Sequence, residues 1–145
     1  MINITAIDHV VLRVVDLDVM TRFYVDVLGA RRELDQPESG LYQLRLGSAL
    51  LDLVTVNGPI GREGGAPPGR EGRNVDHICF RVLPWDAARV ISHLDRFGLR
   101  GEIVSRYGAE GQGPSIYIDD PEGNRIELKG PPWAPQPGTS AHSRT

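Results

Sequence analysis

Two stretches of the chain carry the same alternation of apolar and polar positions. Ile7-Asp8-His9-Val10-Val11-Leu12-Arg13-Val14 is matched 68 residues later by Val75-Asp76-His77-Ile78-Cys79-Phe80-Arg81-Val82. Asp, His, Arg and Val recur in place, and the other four pairs are all apolar. Alternation with a period of two predicts strands from Ile4 to Val14 and from Val75 to Val82. After each strand the spacing turns helical. Asp16 suits an N-cap, and from Asp18 to Leu28 the residues Val19, Phe23 and Val27 form a stripe flanked by Met20, Tyr24 and Leu28. Thr21, Arg22 and Asp26 fall on the solvent side, and Gly29 is the stop. In the second half Pro84 is expected in the first helical turn; Trp85, Ala88, Ile91, Leu94 and Phe97 lie mainly on one side, and Gly98 ends the helix.

Three further strands follow each helix. The first set is Arg31 to Leu34, Leu41 to Leu46 and Ala49 to Val56; the second is Glu102 to Ser105, Ser115 to Asp119 and Arg125 to Lys129. Tyr107 to Pro114 reads as a Gly-rich loop able to act as a lid, and Asp120-Pro121-Glu122-Gly123-Asn124 as a turn. The repeat decides the fold: α+β, two βαβββ modules at 1–56 and 75–130. Paired, they are expected to curl a mixed sheet into a cup with the helices on the outer face. Residues 57–74, rich in Gly and Pro, are expected to be a mobile linker, and 131–145 a tail that is disordered or docked by Trp133.

At 145 residues the chain holds one domain or two small modules with a common core. A net charge of -3 without a clustered basic stripe excludes a nucleic-acid surface. One cysteine, Cys79, excludes an internal disulfide framework and gives the expectation of a cytoplasmic protein. No apolar run approaches the roughly 20 residues of a membrane helix, and no signal peptide is visible.

Strand parity selects the residues that carry chemistry. Val10, Leu12 and Val14, like Ile78, Phe80 and Val82, form an apolar face suited to the helix. The other face carries His9 and Arg13, or His77, Cys79 and Arg81. Leu51-Asp52-Leu53 and Ile126-Glu127-Leu128 each place one carboxylate between two apolar residues, so Asp52 and Glu127 are expected on the cup side as well. Two imidazoles and two carboxylates suit one divalent ion such as Zn, Ni, Co, Mn or Fe(II), with positions left for water or substrate. Asp52, one methylene shorter than Glu127, either falls short of the ion or binds it through water. Asp8 and Asp76 have the apolar parity and read as turn or edge residues. His93 and His142 read as solvated, and Cys79 as a single thiol outside any cluster. Arg13, Arg81, Gln43 and Arg45 share the cup-facing parity and are candidate substrate contacts, an Arg there suiting a carboxylate or phosphonate. Tyr117 is a candidate donor to a bound oxyanion.

His9, the segment from Asp16 to Gly29 with Phe23-Tyr24 and Val27-Leu28-Gly29, Asp76-His77-Ile78, and above all Tyr117 to Leu128 with its Asp-Pro-Glu-Gly-Asn turn resemble the vicinal oxygen chelate superfamily. This is the glyoxalase, bleomycin-resistance and extradiol-dioxygenase group. The resemblance implies paired βαβββ modules and metal ligands at His9, Asp52, His77 and Glu127, with Glu127 doubling as the base. Asp52 stands where glyoxalases commonly carry Glu. It implies a metal-dependent lyase or isomerase acting on a small oxygen-rich substrate. An Fe(II) extradiol-type dioxygenase and a metal-free binding protein of the bleomycin-resistance kind are the alternatives. A homodimer is expected, with modules paired within a chain or exchanged between two.

Overall fold

The computed structural model describes residues 1–134. They form an α+β protein with two four-stranded mixed sheets, and the chain divides into two compact units. The first comprises Met1–His77 with Asp119–Arg125; the second comprises Ile78–Ile118 with the chain from Ile126 on.

In the first unit, β1 (His9–Val14), α1 (Leu17–Arg22), β2 (Arg31–Gln36), β3 (Leu41–Leu46) and β4 (Ala49–Thr55) give the predicted βαβββ order. The sheet runs β1-β4-β3-β2, with β1 parallel to β4 and the other pairs antiparallel. Register puts Val10 beside Leu51 and Leu12 beside Leu53, which builds the apolar face read from parity. Val14, Leu44, Leu51 and Leu53 are buried, as are Met20, Phe23, Tyr24 and Val27 from the helical segment. The strand starts at His9 rather than Ile4. The parallel ladder begins at His9 opposite Leu50, β4 itself starts at Ala49, and Ile4 and Ile7 stay exposed.

The predicted single helix has two forms. Asp16 caps α1 by accepting from the Val19 amide at 3.0 Å, but from Phe23 to Val27 the turns widen to π-helical. Thr21, in the regular turns before the widening, is buried rather than solvated. The widening presents Tyr24, fully buried, to Asp120, to which its hydroxyl donates at 2.8 Å. Burial, and then the Asp120 charge, push the Tyr24 phenol pKa up. The same carboxylate accepts from Asn124 Nδ2 and from the Glu122 and Asn124 amides, all within 3.0 Å. Glu122 in turn accepts from the Val15 and Asp16 amides at 2.8 and 2.7 Å. The Asp-Pro-Glu-Gly-Asn turn therefore fastens the connection between β1 and α1.

Residues 57–74 are tied at both ends. Arg13 donates to the carbonyls of Gly61, Gly65 and Ala66 across a 3₁₀ turn at Gly61–Gly64. Arg73 donates to Asn124 Oδ1 at 3.1 Å and to the Glu122 carbonyl at 3.0 Å. Gly61 is buried where a Cβ would lie 1.9 Å from the Thr55 carbonyl oxygen, so only glycine lets the chain pass this close to β4.

The second sheet runs β5-β8-β7-β6, from β5 (His77–Arg81), β6 (Val104–Gly108), β7 (Gly111–Asp119) and β8 (Arg125–Lys129). Helix α2 (Ala87–Asp95) starts after Asp86, which accepts from the Arg89 amide at 3.1 Å; Pro84 lies before it, following a cis peptide bond, not in the first turn. The expected lid at Tyr107–Pro114 is instead part of the β6–β7 hairpin, with Tyr107 opposite Gln112 and Gly108 opposite Gly111. Its glycines serve close packing. A Cβ at Gly113 would lie 2.5 Å from the Pro131 carbonyl oxygen, where the chain after β8 crosses β7. Trp133 completes that crossing, its amide donating to the Gln112 carbonyl and its indole to Ser105 Oγ. The expected tail therefore begins docked, and its remainder, with His142, lies outside the described residues. Among the described residues no helix is long and apolar enough to cross a membrane.

Tyr24→Phe leaves a buried carboxylate short of one donor. It is expected to lower stability by about 1–3 kcal/mol, read as a lower urea midpoint at unchanged m-value. An unchanged midpoint refutes this role for the Tyr24–Asp120 bond.

Candidate metal and substrate site

The first unit supplies one imidazole and one carboxylate on the face opposite its apolar core. In register, Val11 faces Asp52 and His9 faces Leu50, so His9 and Asp52 point to the same side, as Gln43 does from β3. Asp52 is 2 % exposed. Gln43 Nε2 donates to its Oδ2 at 3.1 Å, whereas Oδ1 is buried with no hydrogen-bond partner. A buried carboxylate oxygen without a donor is costly, and a cation is the natural remedy. His9 Nδ1 lies 2.7 Å from Asp8 Oδ1. That hydrogen bond chiefly, with a contribution from the Asp52 charge, raises the His9 pKa above its ordinary value.

His77 closes the first unit and opens β5, its Nδ1 2.7 Å from Asp76 Oδ2. In the second unit Glu127 on β8 is buried. Ser115 Oγ donates to Glu127 Oε1 at 2.5 Å, and the Cys79 thiol and Tyr117 hydroxyl lie near enough to feel this carboxylate. Burial first, then the Glu127 charge, push the Cys79 thiol up to about 11. The Tyr117 phenol is raised mainly by burial, with Glu127 raising and Arg106 lowering it. Arg106 also sits 5.8 Å from the Tyr117 ring centroid. Lys129, buried beside this group on β8, donates to the Arg106 carbonyl at 2.6 Å.

The candidate substrate residues are distributed less evenly than parity suggests. Gln43 meets Asp52. Arg45 is forked onto Glu33 at 2.8 and 3.2 Å and donates to the Ser48 carbonyl; a bulge in β2 between Arg32 and Leu34 sets Glu33 outside the regular pairing. Arg81 pairs with Glu110 at 2.9 Å. Arg13 is committed to the segment after β4. Among the described residues no group of three or more His, Cys, Asp and Glu is placed to hold a metal ion. The structure thus presents the four candidate ligands as separate positions, each backed by its own hydrogen bonds.

The donor chemistry still fits a divalent ion: two imidazoles, and two buried carboxylates of which one has an orphaned oxygen. Sequence reasoning missed Ser115, for which no signal exists beyond its register. Asp8 and Asp76, read as turn or edge residues, do lie one residue before β1 and β5; what was missed is their hydrogen bonding to His9 and His77, for which their recurrence before each histidine was the available signal.

The chain matches the Glyoxalase/Bleomycin resistance protein/Dioxygenase superfamily over residues 6–128. It is 32 % identical over 129 residues to the virulence protein STM3117 of Salmonella typhimurium, covering 86 % of this chain and 83 % of that protein. The crystal structure of STM3117 superposes with a TM-score of 0.72 over 90 % of this chain and 99 % of that one. The integron cassette protein VCH_CASS1 of V. cholerae gives a TM-score of 0.71 at 27 % identity, over 90 % and 98 % of the two chains. The fosfomycin resistance protein FosX of Listeria monocytogenes, complexed with Mn(II) and 1S,2S-dihydroxypropylphosphonic acid, shares the fold with a TM-score of 0.63 at 19 % identity, over 88 % and 90 % of the chains.

Arg13→Gln removes charged donors from three backbone carbonyls. Trypsin is expected to cut at Arg62 and Arg70 about tenfold faster in this variant, since such a hydrogen bond is worth about 1.5 kcal/mol or more. Unchanged cleavage there refutes the clamp.

Proposed function

This chain belongs to the glyoxalase/bleomycin resistance protein/dioxygenase superfamily, and on that premise we propose that it is a metal-dependent lyase or isomerase acting on a small oxygen-rich substrate. The observation that carries the reading is Asp52, whose buried Oδ1 lacks a donor on the sheet face that bears His9. His9, Asp52, His77 and Glu127 would hold the ion, with Zn, Ni, Co, Mn and Fe(II) all compatible with two nitrogens and two oxygens. When bound, the ion supplies Lewis-acid polarisation of substrate oxygens and stabilises oxyanion or enolate charge.

The chain's own residues supply orientation and proton transfer. Ser115 holds the Glu127 carboxylate by donating to it, with Cys79 and Tyr117 beside it. Glu127 takes the proton from the substrate carbon, and Tyr117 donates a hydrogen bond to the oxyanion that forms. Gln43 keeps Asp52 oriented toward the same face as His9. Arg45 and Arg81, each with an acidic partner, border the polar faces and exchange that partner for an anionic substrate group. Arg13 acts on the site through the segment it anchors. We place the active species in a homodimer.

Elemental analysis of the purified protein tests the reading. Stoichiometric divalent metal is expected in the wild type, with loss in His9→Ala and in Glu127→Ala. Adding metal to the stripped wild type is expected to raise the unfolding midpoint, by about 2.7 kcal/mol at a hundredfold excess over Kd, and to do little to either variant. A wild type that cannot be loaded overturns the reading in favour of a metal-free small-molecule binding protein. Activity that needs ferrous ion and O2 assigns the dioxygenase chemistry instead. Light scattering is expected to give twice the chain mass, and a monomeric mass refutes the dimer.

A further inference from the structure

The two candidate histidines share a feature that the four-ligand reading does not use. His9 Nδ1 lies 2.7 Å from Asp8 Oδ1, and His77 Nδ1 lies 2.7 Å from Asp76 Oδ2. The same contact, between adjacent residues and on the same ring nitrogen, therefore occurs in both copies of the repeat. Neither aspartate is needed for the core: their side chains are 91 % and 85 % exposed. Pairs this exposed contribute little to stability, so folding alone does not account for the duplication.

We propose that Asp8 and Asp76 are positioning residues for the metal, each fixing the neighbouring imidazole in the tautomer and rotation that directs Nε2 toward the ion. This rests on the metal-dependent reading above. An ionised carboxylate only accepts hydrogen bonds, so the nitrogen facing it must carry the proton. That nitrogen is Nδ1 in both rings, which leaves Nε2 as the nitrogen with the ligating lone pair. An imidazole without such a partner favours the opposite tautomer, with the proton on Nε2. It must then lose that arrangement before it can bind through Nε2. The carboxylate also makes the ring a stronger donor to the ion. Asp8 and Asp76 immediately precede the first residues of β1 and of β5, and the Asp8 carbonyl already accepts from the Leu50 amide at 3.0 Å.

Two measurements test the proposal. Long-range 1H–15N spectra of the metal-free protein, about two units above the usual imidazole pKa of ~6.5, report the tautomer directly, with His9→Gln and His77→Gln assigning the signals. The wild type is expected to show the Nδ1–H form at both positions. Asp8→Ala should move His9 alone toward the Nε2–H form, and Asp76→Ala should move His77 alone. Asp8→Asn and Asp76→Asn keep an accepting oxygen and should keep the Nδ1–H form. Competition with a chromophoric chelator for Zn(II) should then show about tenfold weaker binding for each Ala variant, with the Asn variants closer to wild type. An Nε2–H tautomer in the wild type overturns the proposal. So does wild-type Zn(II) affinity in both Ala variants. A wild type that binds no metal overturns the functional reading itself, and wild-type loading with unaffected variants overturns only the role of the aspartates.

Discussion

The carboxylate of Asp120 is the constraint on which much of the first unit depends. It is 4 % exposed and accepts four hydrogen bonds, from the Tyr24 hydroxyl, the Asn124 side chain and two backbone amides of its own turn. A buried charge is tolerable only when its lone pairs are met, and here they are met from two distant parts of the chain. The turn so stiffened carries Glu122 onto the Val15 and Asp16 amides, and Arg73 closes it from the other side. The π-helical turn at Phe23–Val27 is the local adjustment that brings Tyr24 to this point. The most specific motif in the sequence is thus a structural clamp, one residue before the strand that bears Glu127.

The polar faces follow a different economy from the core. Each sheet has one face closed by aliphatic side chains, and the residues of opposite parity carry the chemistry. Several cations there have partners: Arg45 has Glu33, Arg81 has Glu110, and Arg13 and Lys129 donate to backbone carbonyls. Against that background the orphaned oxygen of Asp52 is the exception. Its neighbour Gln43 can satisfy one oxygen and no more. In the second unit the corresponding carboxylate, Glu127, is met by the Ser115 hydroxyl from β7. The two carboxylates, similar in sequence context, thus enter the candidate chemistry in different electrostatic states.

Much of this was readable from residue order. The repeat of eight residues, the change of spacing after each strand, and the Gly29 and Gly98 stops led to the correct βαβββ order in both halves. Parity on β1 and β4 put His9 and Asp52 on one face of the first sheet. Glycine is silent about whether it grants mobility or permits close approach. Gly61 and Gly113 do the second, one beside β4 and the other within the β6–β7 hairpin, which the sequence presented as a Gly-rich loop.

The sequence by itself determined what depends on neighbours in the chain: the elements, their order and their buried faces. Tertiary structure alone decided what depends on partners far along the chain. It assigned Arg13 to backbone carbonyls some fifty residues away, gave Tyr24 to Asp120, and left one oxygen of Asp52 without a donor. Periodicity constrains the direction of a side chain, because backbone geometry repeats. It carries no information about which group waits at the far end, and satisfaction of a buried charge is settled only there.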